Sequence, residues 1–474
     1  MILAVDQGTS GTTCLVVDEN LRTLGRGRRE LTTRFPKPGW VEQDPEEIWI
    51  SVLDATREAL AAASIAASEL QAIGLTNQRE TTLLWERRTG RPVYPAIVWQ
   101  DRRTAERCRS LPADVIRDRT GLLPDPYFSA TKLEWLLQHA GATGELAFGT
   151  VDSWLVWRLT GGEEHLTDVS NASRTMLAGL ETLAWDEELL RLFGVPRALL
   201  PKIRPSSGVV AEARIGGTAI PIAGIAGDQQ AALFAQACFE PGQAKATFGT
   251  GAFVLMNCGF EPGPAARAVL RTVAWQLAGR SPAYALEGAI FTAGGAVQWL
   301  RDGLGLIAAA AETEALATSV DGTGGVHFVP ALTGLGAPHW APEARGLITG
   351  LTGATRREHL VRAALESVAY QTRDVVEEMG LAPAALRSDG GMTANAFLMQ
   401  FLADIVGVPV EVPTEREATA LGAAALAGLA VGVWRDEREL ASRWRAAARY
   451  EPRLERAEAD RLHEAWRRAV AQAL

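Results

Sequence analysis

Three short stretches of this 474-residue chain combine a glycine-rich turn with hydroxyls or a carboxylate, the chemistry that holds polyphosphate oxygens and a divalent cation. In the first, Asp6-Gln7-Gly8-Thr9-Ser10 closes an apolar run that starts at Ile2. The carboxylate stands at a strand end, and Gly8 lets backbone amides come close to a ligand. Asp6 is the candidate holder of Mg2+, directly or through water. Thr9 and Ser10 are candidate donors to a triphosphate whose charge must be held without covalent chemistry. One such turn is as often an ordinary hairpin tip. A second, Gly249-Thr250-Gly251 after the apolar Ala244 to Phe248, supplies a matching turn from the other half of the chain, and two turns facing each other make a nucleotide cleft. The third, Ser388-Asp389-Gly390-Gly391-Met392-Thr393-Ala394-Asn395, runs from a strand end into a helix beginning near Ala396. Backbone at Gly391 and Met392 can approach a nucleoside there.

The elements that must carry these turns are legible from local pattern. Ile2 to Asp6 and Cys14 to Asp18 read as a β-hairpin with a Gly/Thr-rich tip. Asp44-Pro45-Glu46-Glu47 places an N-cap, a first-turn proline and two acidic residues together, so a helix starts there and runs to about Ala63. Apolar runs at Ala72 to Thr76 and Thr82 to Trp85 alternate with helical patterns, which gives an α/β class. Ala244 to Asn257 repeats the strand-turn-strand chemistry of the N-terminus, so the chain reads as two related domains, 1–240 and 241–474. Pro241-Gly242 marks the boundary. The last forty residues, rich in Arg, Glu and Ala, read as a closing amphipathic helix.

Composition narrows the partners. Hydrophobic residues make up 47% and charged residues 22%, as in ordinary globular proteins. A net charge of −9 without a basic stripe disfavours nucleic acid or an anionic membrane. Cys14, Cys108, Cys238 and Cys258 form no C-x-x-C pair, so neither a disulfide framework nor a zinc site is expected. Ala418 to Trp434 approaches spanning length, but its Ala and Gly content between Glu417 and Arg435 favours a tightly packed buried helix. The opening residues lack the basic flank of a secretory signal, and the expected location is cytoplasmic.

The order D-x-G-T, G-T-G, D-G-G resembles the actin, sugar-kinase and heat-shock-ATPase superfold, whose two ribonuclease-H-like domains clamp ATP in a central cleft. That resemblance implies ATP contacts at Thr9, Ser10, Gly249, Thr250, Gly251, Gly391, Met392 and Asn395. Longer segments, Trp40 to Pro45, Gly74 to Thr82, Ala96 to Thr104, Asp125 to Ser129, Asn171 to Met176 and Gly224 to Ala232, resemble the FGGY family of carbohydrate kinases in its glycerol-phosphorylating branch. The match runs from Met1 to about Trp434. It implies Mg-ATP and glycerol as partners, Asp228 as catalytic base, and glycerol contacts from Arg79, Glu80, Tyr127, Asp228 and Gln229, with Trp99 and Phe253 against the carbons. A homo-oligomer, dimer or tetramer, is also implied. Chemically, a small polyol needs a donor or acceptor for each hydroxyl and an apolar wall, which Arg79, Glu80, Trp99 and Tyr127 supply.

Three departures matter. Thr13 stands where many relatives carry a basic residue, so backbone and hydroxyls are expected to do more of the phosphate binding and ATP to bind less tightly. Ile215 to Ala219 is shorter than the Gly-rich loop of relatives inhibited by fructose 1,6-bisphosphate, so that inhibition is expected to be absent or weak. No histidine occurs between His165 and His327, which argues against control by histidine phosphorylation. The rival readings are an FGGY kinase for xylulose, ribulose, gluconate or erythritol, and an actin-like ATP-binding assembly protein.

Overall fold

A computed structural model describes residues 1–141, 144–264, 268–415 and 417–474. Strands β1 (Ile2–Gln7), β2 (Gly11–Val17), β3 (Thr23–Glu30), β4 (Ala72–Asn77), β5 (Ser207–Ile215) and β6 (Thr218–Gly227) form one sheet in the order β5-β6-β4-β1-β2-β3. Strands β7 (Ala244–Phe248), β8 (Ala252–Gly259), β9 (Leu270–Trp275), β10 (Ala283–Ile290), β11 (Leu386–Asp389), β12 (Val410–Pro413) and β13 (Ala446–Tyr450) form the second, in the order β9-β10-β8-β7-β11-β12-β13. Each sheet joins an antiparallel meander, β1-β2-β3 or β7-β8-β10, to parallel neighbours, β4 and β6 or β11 and β12. This is the two-domain α/β architecture, with ribonuclease-H-like halves, that the turn motifs imply.

Seven helices matter for the site: α1 (Pro45–Ala63), α2 (Asp228–Ala235), α3 (Gly294–Asp302), α4 (Arg357–Glu378), α5 (Ala396–Val406), α6 (Ala418–Ala430) and α7 (Arg456–Ala473). Helix α1 begins where local capping dictates: Asp44 Oδ1 accepts from the Glu46 amide at 2.9 Å, and Pro45 occupies the first turn. The final forty residues are not one helix. A helix over Glu437–Arg443 and strand β13 precede α7, because pairing of β13 with β12 overrides the helical preference of Ala446-Ala447-Ala448.

Helix α6 follows β12 of the second sheet yet lies on the first, its Ala420, Ala424 and Ala427 packed against Ile2, Ala4, Leu15 and Ala223. Small residues bring it there. A Cβ on Gly422 would stand 1.9 Å from the Ala231 carbonyl oxygen of α2, and one on Gly74 of β4 would stand 2.1 Å from the Ala423 oxygen of α6. The Ala418 to Trp434 stretch is therefore a buried helix, and among the described residues no helix is long and apolar enough to cross a membrane. Substituting Gly422→Ala forces one backbone off another, so the expected loss is about 1–3 kcal/mol, read as a lower urea midpoint at unchanged slope.

Candidate active site

Register sets the first feature. Asp6 lies level with Thr76 of β4, and Thr76 with Ala226 of β6, so Asp6 and Asp228 emerge at the same end of the sheet, on either side of β4. Burial, and after it the facing Asp228 and Glu417 charges, push the Asp6 carboxyl up to about 8. Asp228 is also raised by burial, against the opposing pull of Arg79 and Lys245. The two carboxylates therefore share one field, and a cation between them would relieve their repulsion.

Asp228 opens α2, where its Oδ1 accepts from the Gln229 amide at 2.7 Å and forms an ion pair with Arg79, 3.2 Å from Nε. The Asp228 side chain keeps 29% of its surface exposed while that of Arg79 keeps 1%, so the carboxylate faces the cleft and the guanidinium backs it. Arg79 Nη1 and Nη2 grip Glu287 of β10 at 2.6 and 3.0 Å, and Nη2 donates to the Tyr127 hydroxyl at 3.1 Å. Having accepted from Arg79, that hydroxyl keeps its own proton for a ligand. Glu80 pairs with Arg174 at 2.7 Å in a left-handed backbone conformation, φ 60°. Arg174 reaches Glu287 as well, at 2.8 Å.

The aromatic wall stands beside these charges. Trp99 meets Tyr127 and Phe253 edge-on, at centroid separations of 5.6 and 6.3 Å, and its Nε1 donates to Thr9 Oγ1 at 2.9 Å. Lys132 fixes the Tyr127 loop by donating to the carbonyls of Pro126, Tyr127 and Phe128 at 2.9, 2.6 and 2.8 Å. A cavity of about 710 Å3 opens onto Trp99, Tyr127, Gly251 and Phe253.

A second cavity, of about 580 Å3, is lined by Gly249, Thr250, Gly391, Met392 and Asn395, which brings together five of the residues expected to hold ATP. The Gly249-Thr250-Gly251 turn thus stands between the two cavities. The first turn of α3 braces it: the amides of Ala293 and Gly295 donate to the Thr250 carbonyl at 2.9 and 2.8 Å, and that of Gly294 to the Gly249 carbonyl at 3.0 Å. Gly390 takes φ 92°, and a Cβ there would meet the Phe248 oxygen at 2.4 Å. Asn395 spends its side chain on capping α5, accepting from the Leu398 amide at 2.9 Å. Ser10 is exposed at the hairpin tip, and its carbonyl accepts from the Leu31 amide at 3.1 Å. Gln229 turns its Oε1 to Lys245 Nζ. Thr13 sits opposite Asp6 and also opposite Arg28 of β3, so a basic residue does flank that position across the strand.

Sequence reasoning missed Glu287, Arg174, Lys245, and Gly294 and Gln298 of the second cavity. Glu287 and Lys245 did leave a signal: each is the one charged residue in an otherwise apolar or uncharged strand. Among the described residues no group of three or more His, Cys, Asp or Glu could hold a metal.

Two ribonuclease-H-like halves that present strand-end carboxylates and glycine turns to a shared cleft define a class, the two-domain ATP-dependent phosphotransferases. The chain belongs to the FGGY family of carbohydrate kinases: the family's N-terminal domain matches residues 1–235 and its C-terminal domain residues 244–431. It is 53% identical to glycerol kinase 2 of Thermotoga maritima and 52% identical to the glycerol kinase of Carboxydothermus hydrogenoformans, in both cases over 100% of this chain and 98% of the relative. The crystal structure of Plasmodium falciparum glycerol kinase with ADP superposes with a TM-score of 0.92 at 36% identity, covering 100% of this chain and 98% of that one.

Although burial pushes the Glu287 carboxyl up, Arg174 and Arg79 outweigh it and hold it down to about 2. A depressed carboxylate stabilises the fold fully above its unfolded value near 4.5, and that contribution is lost as pH falls towards 2. Glu287→Gln leaves two buried guanidinium groups short of an anion, with an expected loss of about 3–5 kcal/mol at neutral pH. Urea titrations should show the variant's stability changing less than the wild type's between pH 4.5 and 2.

Proposed function

We propose that the protein transfers the γ-phosphoryl group of ATP to a terminal hydroxyl of glycerol, giving sn-glycerol 3-phosphate. One observation carries the reading: Arg79 holds the partly exposed Asp228 carboxylate at 3.2 Å beside the Trp99, Tyr127 and Phe253 wall. The hydroxyl oxygen attacks phosphorus in line, the bond to the β,γ-bridging oxygen breaks, and the hydroxyl proton passes to Asp228 Oδ. Tyr127, with its proton free, donates to a second hydroxyl. The apolar faces of Trp99 and Phe253 pack against the carbons and keep water, the competing nucleophile, from the phosphorus. Asp6 would hold Mg2+, which when bound neutralises triphosphate charge. The Gly249-Thr250-Gly251 turn receives the phosphates, and the cavity at Gly391 and Met392 receives the nucleoside.

The committed Oε1 of Gln229 and the paired Glu80 assign these residues different parts. Glu80 acts chiefly through Arg174 and Arg79, whereas Gln229 faces substrate through its amide nitrogen. The 710 Å3 cavity is far larger than a triol, so discrimination between polyols rests on the inner wall rather than on total volume.

Asp228→Asn removes the proton acceptor without removing the side chain. Turnover is expected to fall about 10²- to 10⁴-fold, with ATP binding, read by nucleotide titration, nearly unchanged. A coupled ADP assay over glycerol, xylulose, ribulose, gluconate and erythritol should give the highest kcat/KM with glycerol. If glycerol is matched by one of the others, the substrate assignment is wrong. Between β5 and β6 the chain turns on Gly216 and Gly217 alone, at φ 57° and 85°, with Ile215 paired to Thr218. Millimolar fructose 1,6-bisphosphate should accordingly leave the rate unchanged in the same assay.

A further inference from the structure

Lys245 is a buried cation that the mechanism above does not use. It lies in β7 of the second sheet, fully buried, and makes no ion pair among the described residues. A buried ammonium is costly unless something in the fold depends on it, and an apolar side chain of the same length would fill this space at lower cost. Its Nζ instead donates to Gln229 Oε1, on the helix of the first half that begins with Asp228, and to Thr247 Oγ1 at 2.8 Å. Gln229 in turn donates its backbone amide to Asp228 at 2.7 Å.

This contact has a stereochemical result. A glutamine amide can present either its oxygen or its two N–H donors, and which way it turns is set by its partners. Lysine has donors only, so it captures the oxygen and leaves Gln229 Nε2 as the group free for substrate. The free N–H atoms suit a hydroxyl oxygen whose own proton is directed to a carboxylate.

We propose that Lys245 is a positioning residue that fixes the Gln229 amide with its donors towards the acceptor polyol and ties the first turn of α2 to the second sheet. The inference rests on the reading of Asp228 and Gln229 as polyol ligands. It adds to the Phe253 contact a second dependence of polyol recognition on both halves of the chain, since Gln229 belongs to one and the group that orients it to the other.

A double-mutant cycle on the full-length protein tests it. Lys245→Met should raise the polyol KM about tenfold and leave the ATP KM within about twofold, whereas in a Gln229→Ala background the same substitution should change polyol kcat/KM by less than about threefold. Lys245→Arg, which like lysine has donors only, should recover most of the loss. Equal losses in both backgrounds, or an ATP KM that rises as much as the polyol KM, would overturn the proposal. Gln229→Glu provides a route independent of how Lys245 variants fold: it keeps the lysine contact but has no N–H, and it should lose as much polyol affinity as Gln229→Ala. Wild-type affinity in Gln229→Glu would also overturn it. The ratios are read with whichever polyol the wild type turns over, so a failure of glycerol as substrate is told apart from a failure of this inference.

Discussion

Arg79 carries five N–H donors, and the seam between the two sheets turns charged or polar partners to all three of its nitrogens. Nε faces Asp228, Nη1 serves Glu287 and Gln230, and Nη2 serves Glu287 and the Tyr127 hydroxyl. The guanidinium is planar and cannot deprotonate at ordinary pH, so these partners are held in one plane around a permanent charge. Glu287 belongs to the second sheet, whereas Asp228 and Gln230 lie on α2 and Tyr127 on a loop of the first half. A displacement of either half therefore breaks a bidentate pair in a site that excludes water, where an unpaired charge is expensive. The cleft inherits that rigidity: the Asp228 carboxylate and the Tyr127 phenol hang from the same fork.

Around this fixed point the fold divides its labour. Parallel strand ends bring Asp6 and Asp228 to one end of the first sheet, glycine turns present backbone to the cavities beside them, and aromatic side chains from three segments close the wall. The loop bearing Arg79 and Glu80 is strained at Glu80, and it is held by partners of two kinds. Arg174 pairs with the carboxylate, and Asn77 and Asn171 exchange amide hydrogen bonds of 3.0 and 3.1 Å below it. Strain retained in this way keeps a short loop from relaxing into an arrangement that would turn Arg79 away.

How much of this was legible depended on how local the cause was. The start of α1 was readable because Asp44 and Pro45 act within one turn. Strand ends with glycine turns announced themselves through composition. Glu287 and Lys245 did not declare their partners, since Arg79 lies 208 residues from Glu287 and Gln229 16 residues from Lys245 across the seam. A solitary charge in an apolar strand signals that a partner exists without saying where. Strand β13 was hidden for the opposite reason: its alanines favour a helix, and only the waiting edge of β12 makes them extended. The competing use of Asn395 as a cap was equally invisible, because one side chain can serve two plausible roles and only coordinates choose between them.

The position of α6 has a further consequence. The polypeptide enters the second half, returns to lay this helix over the first sheet, and crosses again to finish at α7. A molecule threaded in this manner cannot be reassembled from fragments separated at a single point. An amino-terminal piece ending before β7 would leave the surface around Ile2, Ala4, Leu15 and Ala223 bare to water, and its complement would carry an orphan alanine-rich helix. Recombination between relatives faces the same restriction, since a crossover between the halves must keep Gly74 and Gly422 matched to backbones encoded on the other side of the join. The glycine content of one half is thus inherited jointly with the helix supplied by the other.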